Sequence, residues 1–111
     1  MKKRTLNQTW TLCLQMWRWI AKVWQTPRYR RYSIHELKEI WLRKNKFIPN
    51  RISNSCFFCD YTPRFSCNIC PGRLVVLDFH CCNKDYNWEI KPVEFYKELL
   101  RLNRIRKAKN E

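Results

Sequence analysis

Asn54-Ser55-Cys56-Phe57-Phe58-Cys59-Asp60-Tyr61, followed by Cys67-Asn68-Ile69-Cys70-Pro71, decides how the middle of this chain is expected to fold. Two C-x2-C pairs stand with residues 60–66 between them. Each pair lets a tight turn present two sulfurs to one ion, and two pairs complete a tetrahedron. One such pair is equally a redox motif; two in tandem point to metal. The expected cofactor is Zn2+, held by Cys56, Cys59, Cys67 and Cys70. The spacing is shorter than that of an ordinary zinc ribbon, so other ligands stay open: Cys81, Cys82 and His80 follow shortly after. A set such as Cys56, Cys59, Cys70 and Cys81 binds equally well, with Cys67 left over. Metal binding of this kind contributes on the order of 10 kcal/mol, enough to order a segment with few periodic apolar positions.

On either side of the cysteines the pattern changes to helical periods. Leu6, Trp10, Cys13, Leu14, Trp17, Ile20 and Trp24 recur at intervals of three and four, which predicts a Trp-rich helix over 5–25. A second row, Leu12, Met16, Trp19 and Val23, widens its apolar face, and Cys13 falls on the stripe as core. Pro27 ends that helix. Ser33-Ile34-His35-Glu36 is a capping box that opens a second helix over 33–46, with Ile34, Leu37, Ile40 and Trp41 on one face. Pro92 opens a third over 92–108, acidic at its start and basic at its end, with a tail expected to fray. Between them, Leu74-Val75-Val76-Leu77-Asp78-Phe79 is apolar and β-branched, which predicts a strand paired near Phe57–Tyr61 or Tyr86–Ile90. The expected fold is therefore a small zinc-stabilised α+β domain over residues 1–111. Three helices surround a Cys-rich zinc-knuckle segment, 50–90, that carries a short strand or hairpin.

The chain has 111 residues and a formal charge of +14. Such an excess of cations repels itself and commonly answers to a polyanion. The connector Arg28-Tyr29-Arg30-Arg31-Tyr32 interleaves guanidinium groups, which fork onto phosphate, with phenol rings that stack on bases. Arg43, Lys44 and Lys46 follow at the end of the second helix, and Arg101, Arg104, Arg106 and Lys107 crowd the third. These residues form the expected nucleic-acid contacts. A different surface, Trp17, Trp19 and Trp24, is the alternative, as a contact for a protein partner. Polar residues interrupt every apolar stretch, so no transmembrane segment is expected. The seven cysteines are an odd number, and no signal-peptide cleavage site follows the basic N-terminus, so a cytoplasmic setting with reduced thiols is expected.

Enzymatic zinc chemistry is not expected. A closed four-thiolate site has no open coordination position, and the H-x-E element of zinc deaminases is missing. His35 and His80 are the only histidines; Phe79 separates Asp78 from His80 and no second histidine follows, unlike the pattern of a zinc-containing HNH nuclease.

The run from Asn54 to Tyr61, the Cys67-Asn68-Ile69-Cys70-Pro71 motif, a further Cys and the aromatic tract ending at Trp88 resemble the Cys-rich accessory proteins, mostly uncharacterised, of phage and prophage genomes. The resemblance covers residues 54–100 and implies a setting: a mobile element, a bacterial cytoplasm, and a role in host takeover or anti-defence. The expected function is a non-enzymatic zinc-binding accessory protein that binds nucleic acid, or a host nucleoprotein complex, through its basic surfaces. The alternative is an inhibitor of a host defence or regulatory complex that acts through the Trp-rich face.

Overall fold

A computed structural model describes residues 4–52, 56–61, 70–76, 78–81 and 83–109. Five α-helices and one 3-10 turn account for the regular structure among them: α1 Leu6–Val23, α2 Ile34–Lys44, the 3-10 turn Pro49–Arg51, α3 Phe57–Tyr61, α4 Pro71–Val75 and α5 Pro92–Lys109. The two long end helices lie against each other, α2 packs on α1, and the short α3 and α4 close the remaining side.

Local chemistry sets the helix ends. At α1, the Gln8 amide donates to Thr5 Oγ1 at 3.1 Å, and the Thr5 amide donates back to Gln8 Oε1 at 2.9 Å. Ser33 and Glu36 make the same reciprocal pair at the start of α2. The end of α2 is less ordinary. Lys46 adopts φ 66°, a left-handed conformation that favours glycine. It lets the Phe47 amide reach Leu42 O at 2.8 Å and the Lys46 amide reach Arg43 O at 3.1 Å, the bond pair of a Schellman motif. Phe47 then stacks on Trp41 with centroids 6.2 Å apart and meets Phe57 edge-on at 5.4 Å.

The core runs between α1, α2 and α5. Trp10, Cys13, Met16, Trp17 and Ile20 of α1 meet Leu37 and Leu42 of α2 and Phe95, Leu99 and Leu102 of α5, all buried. Aromatic edges lock the layers: Trp10 meets Phe58 at 4.8 Å and Trp17 meets Phe95 at 4.7 Å, both edge-on at 66°. Arg4 ties the start of α1 to α3 through a 2.8 Å ion pair with Asp60.

The expected α+β class is corrected to an all-helical one, since the described residues contain no strand. Of the two segments expected to pair, Phe57–Tyr61 is α3 and residues 86–90 are turns built on Asn83 and Asn87. The apolar run itself is divided. Pro71 starts a helix that carries Leu74 and Val75, and the chain then turns so that the Phe79 amide donates to Val76 O at 3.0 Å. Phe79 packs so closely on Gly72 that a Cβ there would lie 2.5 Å from its ring. A β-branched run becomes a strand only where a neighbour offers a ladder, and here a buried aromatic docking site takes precedence. α5 continues as helix to Lys109, whose Nζ reaches Val75 O at 3.3 Å.

No described helix is long and apolar enough to cross a membrane.

Candidate nucleic-acid interface

The connector between α1 and α2 is a folded corner. Its carbonyls and amides close successive turns: the Tyr29 and Arg30 amides both donate to Thr26 O at 3.0 and 2.9 Å, and the Tyr32 amide donates to Tyr29 O at 3.0 Å. These turns bring the connector's rings against the end of α1. Trp19 meets Tyr29 edge-on with centroids 5.3 Å apart, and Tyr32 follows Tyr29 at 6.2 Å. Lys44, at the end of α2, sets its ammonium 5.1 Å from the Trp19 centroid and 5.8 Å from that of Tyr29, and donates to Tyr29 Oη at 3.4 Å. Arg28 also lies near it, 5.4 Å from the Tyr29 ring. Three half-exposed or exposed rings and their cations thus form one cluster.

Charge is left over there. Among the described residues, Arg28, Arg30, Arg31, Lys44 and Lys46 make no ion pair, whereas Arg43 stands 3.8 Å from Glu39. The cations of α5 behave differently. Arg101 is clamped on Glu98 through bonds of 2.8 and 2.7 Å. Arg106 crosses to α1, donating to Asn7 Oδ1 at 2.6 Å and lying 5.1 Å over the Trp10 ring. Partial burial lowers the Arg106 pKa from its ordinary value. Arg106 and Lys107 also border a groove of about 230 Å³ with Arg18 and Tyr96, while Arg104 is exposed. Of the expected contacts, the structure therefore joins the connector to Lys44 and gives Arg101 and Arg106 intramolecular work.

Trp17 is 1% exposed and belongs to the core, which removes it from the alternative protein-binding surface. Trp19 and Trp24 are half-buried; Trp19 serves the basic cluster. Nothing local in the sequence signals the pairing of Trp19 with Lys44, because a helix, a connector and a second helix separate them.

The thiols form a second cluster. Cys56 immediately precedes α3, and its sulfur accepts from the Cys59 thiol, with further bonds from the Cys59 and Phe58 amides. The Cys59 hydrogen bond, opposed by burial and helped by the Lys38 ammonium and the two amides, brings the Cys56 pKa down to about 6. Buried Cys13 lies close enough to Cys56 and Cys70 for both to raise its pKa, although burial is the larger cause. Cys13 is thus core, as its place on the stripe implies, and also a neighbour of the expected ligands. Cys70 caps α4. Cys81 is half-buried and His80 exposed. Cys67 and Cys82 lie outside the described residues, which leaves the expected ligand set incomplete there. Among the described residues no three His, Cys, Asp or Glu side chains converge as a metal-binding group. Cys56 and Cys59 have the donor chemistry of half a thiolate site, with a buried cation beside them suited to balancing its negative charge.

No family model, curated protein or solved structure matches this chain.

Proposed function

We propose that this protein binds nucleic acid, as a non-enzymatic module, through the corner formed by Arg28–Tyr32 and Lys44. The observation that carries the proposal is the Trp19–Tyr29–Tyr32 cluster flanked by Lys44 and Arg28. Rings in contact with cations that make no ion pair among the described residues supply both parts of backbone-and-base recognition: phosphate neutralisation and a face on which bases stack. The net charge of +14 supports it by drawing a polyanion toward the whole surface. In the same proposal zinc is a structural ion. The Cys56–Cys59 pair supplies two thiolates, and the remaining ligands come from Cys67, Cys70, Cys81, Cys82 or His80. When bound, the ion cross-links the segment between α2 and α5 and takes no part in contacting the partner.

A mobility-shift titration tests the proposal. The protein is expected to retard short nucleic acids at low salt, and Arg30→Ala/Arg31→Ala/Lys44→Ala is expected to weaken binding at least tenfold while leaving the helical circular dichroism intact. No retardation at low salt, or a triple variant that binds as well as the parent, contradicts it.

A further inference from the structure

We propose that the cleft beside Tyr32 receives one unstacked base of a single strand and prefers bases carrying an exocyclic amino group, guanine foremost, over thymine or uracil. This rests on the nucleic-acid function proposed above and names the kind of strand that the same corner takes. The cleft is open to solvent, measures about 460 Å³ and is lined by Trp24, Gln25, Arg30, Tyr32, Ser33, Ile34 and Glu89. That volume lies within the range of small-ligand sites, roughly 300–1,000 Å³. Tyr32 belongs to both features: it follows Tyr29 in the aromatic cluster at 6.2 Å and forms part of the cleft wall. A strand whose bases stack along the cluster therefore arrives at the cleft mouth.

The lining is polarised. Arg30 supplies a cation suited to phosphate, and Trp24 and Tyr32 supply aromatic surface for a base. Glu89 is the one carboxylate among these residues. A carboxylate only accepts hydrogen bonds, so it repels phosphate and selects an N–H edge. Guanine presents two adjacent donors, N1–H and N2–H, which a carboxylate takes as a fork. Cytosine and adenine present one amino group. Thymine and uracil present N3–H between two carbonyl oxygens that repel Glu89. The backbone at Glu89 is held in place: its amide donates to Asn87 Oδ1 at 2.8 Å, and the Lys91 amide donates to Asn87 O at 2.7 Å. Bases within a duplex keep their Watson–Crick edges paired, so this cleft reads only an unpaired strand.

Fluorescence anisotropy with the full-length chain tests this, using an oligothymidine strand, the same strand with one central guanine, and the duplex of the latter. The guanine strand is expected to bind about tenfold tighter than oligothymidine and than the duplex, a ratio in the range of one bidentate base contact. Glu89→Gln and Tyr32→Ala are each expected to remove that preference; both residues are exposed, so the fold is retained. Equal binding of all three probes, or a guanine preference that survives both variants, overturns the inference while salt-sensitive binding still supports the general function. Failure of every probe to bind at low salt overturns that function, and the inference with it.

Discussion

Lys38 is 3% exposed, and its ammonium sits 3.8 Å from the centroid of the Trp88 ring and 5.7 Å from that of Trp17. Burying an ammonium is costly unless negative charge or a ring face offsets it. Here two indoles contribute, and the Cys56 sulfur adds to them when ionised. Sequence alone places Lys38 on a helix beside Leu37 and gives no reason to bury it. The reason is tertiary, since Trp88 and Cys56 arrive from distant parts of the chain. Two outcomes follow for Cys56 in the metal-free protein. Alkylation followed by mass spectrometry is expected to rise with a midpoint near pH 6, well below the ordinary thiol value of 9.0. Cys59→Ala is expected to raise that midpoint more than Lys38→Met does, because the thiol hydrogen bond is the larger cause. The sign for stability is equally defined. A thiol whose pKa falls on folding stabilises the fold fully above its unfolded value and loses that contribution as pH drops through the folded one. The melting temperature of the metal-free chain is therefore expected to fall between about pH 9 and about pH 6 on this account. A flat profile in chemical and thermal unfolding across that window argues against an ionised Cys56.

At the scale of elements, what was legible was what is local. Both long flanking helices and α2 lie where apolar periods, Pro92 and the Ser33 capping box place them. Ser33→Ala is expected to cost about 1 kcal/mol by leaving an α2 amide without its cap, read as a lower denaturation midpoint. The end of α2 was not legible, because Lys46 gives no sign of a left-handed residue. Its conformation is dictated by Phe47, which must turn back to Trp41 and Phe57. Lys46→Gly is expected to stabilise the protein by about 1 kcal/mol, offset in part by the glycine's greater freedom when unfolded. A destabilised variant in the same unfolding experiment shows that the lysine side chain does more than tolerate the turn. The strand expected at Leu74–Phe79 failed for a non-local reason. β-Propensity describes residues suited to a pleated surface, and the docking of Phe79 on Gly72 withdraws the run's last residue into the helical core.

Across the whole molecule, charge and aromatic content divide into a dry core and a wet corner. Six tryptophans look like one resource in the sequence, yet Trp10 and Trp17 are buried while Trp19 and Trp24 reach the corner and its cleft. The connector was visible as a basic and aromatic motif; Lys44, Trp19 and Glu89 join it only through the packing of α2 and the 83–91 turns against α1. If about four phosphates of a single strand are neutralised, binding is expected to weaken roughly 50-fold between ~50 and ~200 mM salt. One zinc per chain is expected, with Cys56→Ser and Cys59→Ser each lowering occupancy and chelation lowering the melting temperature; a metal-free chain that melts identically after zinc addition counts against a structural ion. The most direct measurement is ultraviolet cross-linking of a single strand to the protein, with the modified residues mapped by mass spectrometry. Adducts at Tyr29, Tyr32 or Trp24 are the expected result. Adducts confined to α5, or none at concentrations that saturate binding, contradict the assignment of the α1–α2 corner as the nucleic-acid interface.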